Sequence, residues 1–206
     1  MDRQPICFFC RGVSLSSFPL SPGLNSEKYI TFILHLFQMS NKVTILTSEQ
    51  IRQKTTRIAH QILEDSIDER ELIFAGIADR GYVFAQRIIQ ELKKISSQEI
   101  KLIKITLDKD STSLISSLDS DISTAENKVV IIVDDVLNSG RTLVYGLGVF
   151  LNIPLKKVRT AVLVDRSHHS YPIVSDFSGL KLSTVLNEHV SVVFDDDGNS
   201  EGAYLL

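Results

Sequence analysis

The stretch VVIIVDDVLNSGRT, residues 129–142, constrains the fold of this chain more strongly than any other segment. Five aliphatic residues in succession are typical of a strand that is buried on both faces of a sheet. Asp134 and Asp135 follow this run, and a polar turn that contains Gly140 then leads into a helical pattern. A buried strand followed by a turn and a helix is the repeating unit of parallel α/β sheets.

The same alternation of apolar strands and amphipathic helices continues along the chain. Predicted helices cover 47–66, 82–95 and 142–153, and predicted strands cover 43–46, 71–78, 100–107, 128–135, 157–165, 190–194 and 202–206. This order predicts an α/β fold with a mostly parallel central sheet and helices on both faces. Ligands of such sheets bind beyond the carboxyl ends of the strands.

Charge and cysteine content argue against several functions. The net charge of −3 and the pI of about 5.9 give the chain no overall attraction for nucleic acid or an anionic membrane. Its two cysteines, Cys7 and Cys10, have no second pair with which to complete a thiolate metal site. The remaining sequence can form no disulfide, which favours a reducing cytoplasm.

The first 38 residues differ in character from the rest of the chain. They contain a segment rich in Ser, Pro and Gly and then the apolar run YITFILHLF, residues 29–37. A nine-residue run is too short to span a bilayer, which needs about 20 residues. Met39 opens the regular pattern, so we expect 1–38 to be an extension that is disordered or not part of the native product, and 39–206 to be one domain.

The turn after the central strand has the composition of a phosphate site. The first N–H groups of a helix carry partial positive charge and lack intrahelical partners. Gly140 permits close approach of the backbone, and the hydroxyls of Ser139 and Thr142 add donors. Neither the Walker spacing nor the dinucleotide fingerprint occurs here, so the turn is typical of a monophosphate cradle.

Two adjacent carboxylates beside a phosphate need a hydroxyl, a metal or a developing cation as a partner. A sugar phosphate satisfies this need, because its hydroxyls meet the carboxylates while its phosphate enters the turn. Asp134 and Asp135 therefore favour a sugar-phosphate ligand. The alternative is that both are solvated turn residues that cap the following helix.

These residues closely resemble the phosphoribosyl-pyrophosphate signature of type I phosphoribosyltransferases. The segment IFAGIADRGYVFAQRI resembles the pyrophosphate loop of that family. The segments AVLVDRSHHSYPI and TSEQIRQKTTRIAHQI resemble the uracil phosphoribosyltransferases whose best-known members double as pyrimidine-operon attenuators. The resemblance covers roughly 42–206.

The resemblance implies a set of site residues. Asp134 and Asp135 would bind the ribose hydroxyls, and the 5′-phosphate would lie on Asn138, Ser139, Gly140, Arg141 and Thr142. Pyrophosphate would lie on the loop made by Ala78, Asp79, Arg80 and Gly81, in which a strained, non-proline cis peptide bond is expected. Residues 108–127 would form a lid, and a small hood at about 165–189 would hold the nucleobase near Val164, Asp165 and Arg166. Relatives are commonly homodimers or larger.

The implied reaction transfers ribose 5-phosphate from phosphoribosyl pyrophosphate to a nucleobase, most naturally uracil, and releases pyrophosphate for nucleotide salvage. Displacement at the anomeric carbon passes through an oxocarbenium-like state. Asp134 and Asp135 would stabilise that cation, while Mg²⁺, Arg80 and Lys109 would neutralise the pyrophosphate. The motifs assign no direct protein ligands to the metal.

Two departures from the family pattern, in the lid and on the RNA-binding face, keep alternatives open, and residue 138 bears on a third. The lid begins with Asp108 and Lys109, and a lysine is a point charge where relatives have a planar arginine fork. Asn138 stands where some purine-specific relatives have an acid, which disfavours the alternative of a purine phosphoribosyltransferase. Asp65 and Val174 stand where an RNA-binding face would be basic.

RNA binding is therefore possible but disfavoured. An RNA-binding regulator of pyrimidine genes, and a sugar-phosphate-binding domain without catalysis, are the remaining alternatives. The sequence predicts His60 to be a partly buried helix residue rather than an RNA contact.

Overall fold

The computed structural model describes residues 43–107, 116–183, 189–195 and 201–206. Within these ranges lie three α-helices, one 3₁₀ helix and nine strands. In chain order they are β1 (Val43–Thr47), α1 (Ser48–Asp65), β2 (Glu71–Ile77), α2 (Ala78–Ile95), β3 (Glu99–Leu107), β4 (Ser116–Leu118), the 3₁₀ helix (Ile122–Ala125), β5 (Val129–Leu137), α3 (Arg141–Gly148), β6 (Lys157–Asp165), β7 (Phe177–Lys181), β8 (Val190–Val193) and β9 (Gly202–Leu205).

The main sheet has six strands in the order β4-β3-β2-β5-β6-β7. Five of them run parallel, and β4 is an antiparallel edge strand beside the end of β3. The central strands β2 and β5 are nearly continuous buried aliphatic runs, as strands covered on both faces must be. The predicted mostly parallel sheet is confirmed.

Helices cover both faces of this sheet. Successive side chains of a strand point to opposite faces, and β2 divides its residues accordingly. Leu72 and Phe74 join the core that contains the apolar faces of α1 and α2, including Ile58 and Phe84. Ile73, Ala75 and Ile77 join a second core, with Leu143 of α3 and Phe150. The predicted helices on both faces are therefore also confirmed.

Local sequence explains where the helices begin and end. The side chain of Thr47 accepts a hydrogen bond from the backbone N–H of Gln50. In return, the side chain of Gln50 accepts one from the backbone N–H of Thr47, and this capping box starts α1. The third helix was predicted to reach residue 153, but α3 ends at Gly148. Glycine is a poor helix former because its backbone loses the most entropy on ordering, and α3 contains Gly146 and Gly148 within three residues.

The strand β7 was not predicted and changes the extent of the hood. The hood was predicted at about 165–189, yet Phe177–Lys181 lies in the main sheet, parallel to β6. The short sequence FSGLK lacks a long apolar run, and its Gly179 permits close packing, since a Cβ there would lie 2.5 Å from the Leu163 carbonyl oxygen. A separate antiparallel sheet, in the order β1-β9-β8, joins the start and the end of the described chain.

The predicted lid at 108–127 is only partly described. Residues 108–115 and the predicted extension 1–38 lie outside the described residues. Beyond residue 115 the segment is not an irregular loop, because it contains β4 and the 3₁₀ helix. Across the described ranges, no helix combines the length and the apolar character needed to cross a membrane.

The prediction for His60 is wrong. His60 is exposed on α1, whereas the nearby Ile58 and Ala59 are fully buried. The apolar spacing of the helix assigns Ile58 and Ile62 to the core, and His60 lies between them in sequence on the opposite side of the helix.

Candidate active site

A cavity of about 520 Å³ opens at the carboxyl ends of the parallel strands. Eight of the predicted site residues line it: Ala78, Asp79, Arg80, Asp134, Asp135, Asn138, Thr142 and Arg166. Five further residues complete its wall: Ile77, Leu107, Val136, His189 and Val190. Segments far apart in the sequence thus meet where ligands of parallel sheets are expected to bind.

The two aspartates of β5 line the cavity together but differ in their surroundings. Asp134 is buried, and its Oδ1 accepts a hydrogen bond from the backbone N–H of Asp135 at 2.9 Å. Asp135 is partly exposed, and its Oδ2 lies 3.8 Å from Nη1 of Arg80. One carboxylate is thus fixed by the backbone, and the other faces a cation of the predicted pyrophosphate loop.

Gly140 shapes the turn between β5 and α3. Its φ of 84° lies in the left-handed region, which glycine adopts without steric cost. A Cβ at this position would lie 2.6 Å from Cγ2 of Ile173, so space also requires glycine. The carbonyl of Gly140 accepts the first hydrogen bond of α3 from Val144, and the N–H of Arg141 donates to Oγ of Ser139 at 3.3 Å.

The loop after β6 holds this turn in place. The carbonyl oxygen of Ser139 accepts from the N–H groups of Ser170 and Tyr171, at 2.9 and 3.0 Å. Neither Ser139, Gly140 nor Arg141 is among the residues that line the cavity, whereas Asn138 and Thr142 are. The turn therefore presents its two ends to the cavity, and the loop after β6 covers its middle.

The strained peptide bond expected in the pyrophosphate loop does not occur among the described residues, and the unusual geometry there is a backbone dihedral of Ala78. Ala78 has a φ of 50°, and no cis peptide bond occurs among the described residues. A non-glycine residue held in this region costs on the order of 1–3 kcal/mol and persists only where the surroundings enforce it. Gly81 allows the same loop to pack closely on β5, since a Cβ there would lie 2.6 Å from the carbonyl oxygen of Val133.

Lys104 of β3 was not predicted as a site residue. Its Nζ lies 2.7 Å from Oδ1 of Asp79, and this hydrogen bond, with the attraction of the carboxylate, raises the pKa of Lys104. Lys104 also lies over the ring of Tyr82, 5.8 Å from its centroid. In sequence Lys104 is one of several lysines on an amphipathic strand, so only its register opposite Gly76 reveals its position beside the loop.

The predicted base-binding residues occupy three different environments. Val164 is fully buried in the core and does not line the cavity. Asp165 is also buried, and its carboxylate points to its own loop, where it accepts from the Ser167 N–H and the Ser175 hydroxyl and contacts Nε2 of His169. The carboxylate of Asp165 is therefore engaged within its own loop, and Asp165 is not among the residues that line the cavity. Its contact with the nucleobase stays a prediction.

The carboxylate of Asp165 is stabilised in its charged form. Burial on its own raises the pKa of Asp165, but the hydrogen bonds from Ser167, Ser175 and His169 outweigh burial, and the pKa falls below its ordinary value. The charged carboxylate thus anchors the loop that in turn covers the Ser139–Gly140 turn.

Arg166 is the predicted base-binding residue that does line the cavity. It is 3% exposed, and its Nη1 donates to Oδ1 of Asn138 at 3.1 Å. Its backbone N–H donates to the carbonyl of Leu137, which fixes the end of β6 to the end of β5. The predicted catalytic residue Lys109 lies outside the described residues.

His189 and Val190 line the cavity without having been predicted. Val190 begins β8, and His189 pairs through its backbone with Leu206 at the end of the chain. Neither residue belongs to a recognisable motif, and a long segment separates them from β5. Their position depends on contacts between distant segments, among them the pairing of β8 with β9.

Comparison with known proteins identifies the family. A model of the phosphoribosyl transferase domain matches residues 43–197. The bifunctional protein PyrR of Macrococcus caseolyticus is 34% identical over 175 residues, which are 80% of this chain and 99% of that protein. The bifunctional protein PyrR of Staphylococcus aureus is 40% identical over 169 residues, which are 77% of this chain and 94% of that protein.

Solved structures agree on the fold. The hypoxanthine phosphoribosyltransferase of Trypanosoma cruzi superposes with a TM-score of 0.66 at 18% identity, over 80% of this chain and 90% of that one. A hypoxanthine-guanine phosphoribosyltransferase of Bacillus anthracis gives 0.59 at 23% identity, over 68% of this chain and 81% of that one. The domain match, the PyrR relatives and this shared architecture agree with the resemblance of the sequence motifs. The chain is therefore a type I phosphoribosyltransferase, a pentosyltransferase that belongs to the same family as the bifunctional PyrR proteins.

Proposed function

We propose that this enzyme transfers ribose 5-phosphate from phosphoribosyl pyrophosphate to uracil and releases pyrophosphate. The observation that carries the proposal is that one cavity is lined by Arg80, Asp134, Asp135 and Thr142 together. It offers a cation for pyrophosphate, carboxylates for ribose hydroxyls and the start of a helix for the 5′-phosphate.

Each side chain has a role that its surroundings support. The fixed carboxylate of Asp134 and the more exposed one of Asp135 accept from the ribose hydroxyls. As the bond between the anomeric carbon and the pyrophosphate oxygen lengthens, both carboxylates stabilise the positive charge that develops on the ribose. The guanidinium of Arg80, 57% exposed, turns from Asp135 towards the departing pyrophosphate.

The phosphate turn holds the other end of the substrate. The proposed contacts of the 5′-phosphate are the backbone N–H groups and the side chains of residues 138–142, among which Asn138 and Thr142 line the cavity. The loop after β6 keeps this turn in one shape through Ser139. A rigid cradle of this kind reduces the entropy lost when the substrate binds.

Mg²⁺ is the proposed cofactor, and the donors at the cavity fit it. Mg²⁺ prefers oxygen ligands and is commonly held by one or two carboxylates together with substrate phosphates. Asp134 and Asp135 supply carboxylate oxygens on the cavity wall. When bound, the metal would neutralise the negative charge of the pyrophosphate. Among the described residues, no group of three or more His, Cys, Asp or Glu side chains is placed to hold a metal.

Uracil is the proposed nucleobase because the PyrR relatives are 34–40% identical, whereas the hypoxanthine enzymes share little more than the fold. Asn138 supports this choice, since its amide cannot act as the carboxylate base of some purine-specific relatives. The side-chain oxygen of Asn138 also accepts a hydrogen bond from Arg166. Backbone groups near Val164–Arg166 are the proposed contacts of the base.

Lys109 and the segment around it are proposed to close over the reaction. A lid would exclude water from a cation that water destroys, and Lys109 would add positive charge near the pyrophosphate. The cytoplasm is the proposed location, and a homodimer or larger oligomer the proposed assembly.

A panel of nucleobases tests the proposal. The enzyme is incubated with phosphoribosyl pyrophosphate and Mg²⁺, and nucleotide formation is measured separately with uracil, hypoxanthine, guanine, adenine and orotate. We expect uridine monophosphate to form fastest. Preference for hypoxanthine or guanine would instead establish a purine enzyme, and no turnover with any base would contradict the proposal.

RNA binding is a second candidate, and one observation favours it. His60 is exposed on α1, where it is available to a partner. Opposing it, Asp65 at the end of α1 pairs with Lys157 and Arg159 at 2.8 and 3.1 Å and so neutralises cations of the same surface. Titration of a pyrimidine-operon leader RNA at low salt tests it, since phosphate contacts make RNA binding salt-dependent.

A further inference from the structure

The residues that line the cavity include more acidic than basic side chains, which an anionic ligand must overcome. Three carboxylates, those of Asp79, Asp134 and Asp135, line it against the two guanidinium groups of Arg80 and Arg166. The carboxylate of Asp135 lies 3.8 Å from Arg80 and that of Asp134 is buried. Asp79 differs, because its side chain is 91% exposed and it lies in the loop proposed to hold pyrophosphate.

Asp79 also occupies a place that an anion would use. It lies in the first turn of α2, where the helix dipole favours negative charge. A carboxylate there competes with a phosphate for the same positive field. An exposed ion pair contributes little to the stability of a fold, so the fold alone gives this carboxylate little reason to be paired.

We propose that Lys104 is a positioning residue that neutralises Asp79 and thereby permits pyrophosphate to bind the Ala78–Gly81 loop. The ammonium of Lys104 lies 2.7 Å from the carboxylate, close enough for a charge-assisted hydrogen bond. Lys104 acts through Asp79 and does not itself contact the ligand. The inference rests on the proposed assignment of this loop to pyrophosphate.

The geometry fixes Lys104 in this role from two sides. Its backbone on β3 lies beside Gly76, just before the loop begins, and its N–H donates to Oδ1 of Asp119 at 3.0 Å. Its side chain lies over the ring of Tyr82, on the first turns of α2. The ammonium is thus held on the side of Asp79, where, as for any lysine, it is charged at neutral pH.

Two substitutions and their combination test the proposal. Lys104→Met keeps the length of the side chain and its packing over Tyr82 but removes the charge. Asp79→Asn removes the opposing charge in the same shape. The affinity of pyrophosphate with Mg²⁺ is measured by calorimetry, and the KM for phosphoribosyl pyrophosphate is measured beside it. Calorimetry needs neither a nucleobase nor turnover, so an error in the proposed base does not affect the result.

We expect Lys104→Met to weaken pyrophosphate binding roughly tenfold, the effect of one uncompensated like charge near a partly exposed site. Asp79→Asn should bind at least as tightly as the native chain. The double variant should recover native affinity to within about threefold, because the interaction exists only while Asp79 is charged. Lys104→Arg should also bind as the native chain does.

Lys101→Met is the matched control. Lys101 lies on the same strand and pairs with Glu71 at 2.9 Å, but at the other end of β3. Its loss should leave pyrophosphate affinity unchanged. Thermal unfolding of every variant separates lost binding from lost folding.

Three outcomes would overturn the proposal. Native affinity in Lys104→Met would show that Asp79 needs no neutralisation. A double variant as weak as Lys104→Met would show that Lys104 contacts pyrophosphate directly. Weakened binding in Asp79→Asn would show that the carboxylate itself supports the ligand.

Discussion

Nη1 of Arg166 donates a hydrogen bond to Oδ1 of Asn138 at 3.1 Å and so links the proposed base side of the cavity to its phosphate turn. The two side chains are unequal partners, because Arg166 is buried and Asn138 is exposed. Water can replace the arginine at Asn138, but it cannot easily replace the amide oxygen at a buried guanidinium. We therefore expect the fold to lose stability when the side-chain amide of Asn138 is removed.

Asn138→Ala should lower the free energy of unfolding by about 1–2 kcal/mol, because a buried charged donor loses one acceptor. It should also raise the KM for phosphoribosyl pyrophosphate, since the first residue of the turn loses its anchor. Urea denaturation and steady-state kinetics measure the two effects. Asn152→Ala, at an exposed asparagine after α3, is the control. Equal stability of the two variants would contradict a role for the hydrogen bond.

Gly140→Ala tests the phosphate turn. The substitution forces a side chain into a φ of 84° and brings a Cβ to 2.6 Å from Ile173, so either the backbone or Ile173 must move. We expect a loss of stability of about 2 kcal/mol or more and a loss of substrate affinity.

Gly148→Ala, at the last residue of α3, is the matched substitution. Nothing lies within 4 Å of the Cβ that it adds, so the better helix propensity of alanine should stabilise the chain by about 0.5–1 kcal/mol. Thermal unfolding of the two variants measures the direction of each change in stability. Two shifts of the same sign would contradict the account of the turn.

The stability of the chain should depend on pH through Asp165. Its folded-state pKa is lowered, so the carboxylate stabilises the fold above its ordinary pKa of 3.8, and this contribution disappears as the pH falls through the folded-state value. Asp165→Asn should therefore be less stable than the native chain at neutral pH and lose this difference in acid. Urea denaturation across that range measures it, with the exposed Asp68→Asn as control. A difference that is constant with pH would show that the charge is unimportant.

Much of this molecule follows from the sequence because it is encoded locally. The aliphatic run of β5, the aspartates at its end and Gly140 all lie within one short segment, and each has a direct physical meaning. The order of strands and helices likewise restricts the sheet to a few topologies. The fold and the family were therefore predicted correctly.

The features that were missed depend on contacts between distant segments. β7 has too few apolar residues to be recognised, and its place follows from pairing with β6. Lys104 reaches Asp79 only through the register of β3 and β2. The burial of Asp165 follows from the loop that folds back over it, so the sequence did not reveal that this carboxylate stabilises the loop.

Arg80 offers a test of the departing-group site. Its Nη1 lies 3.8 Å from Oδ2 of Asp135. Arg80→Ala should lower kcat/KM for phosphoribosyl pyrophosphate by roughly a hundredfold or more, the usual effect of removing one group that stabilises transition-state charge. The exposed Arg70→Ala is the control, and a kcat/KM for Arg80→Ala that matches this control would exclude Arg80 from catalysis.

The central claim is that Asp134 and Asp135 serve a phosphoribosyl transfer to uracil, and the rate of uridine monophosphate formation tests it most directly. The native chain should form the nucleotide with Mg²⁺, and Asp134→Asn and Asp135→Asn should each reduce kcat by roughly a hundredfold or more while the fold remains intact. Absence of uridine monophosphate with the native chain, or native rates in both variants, would contradict the account.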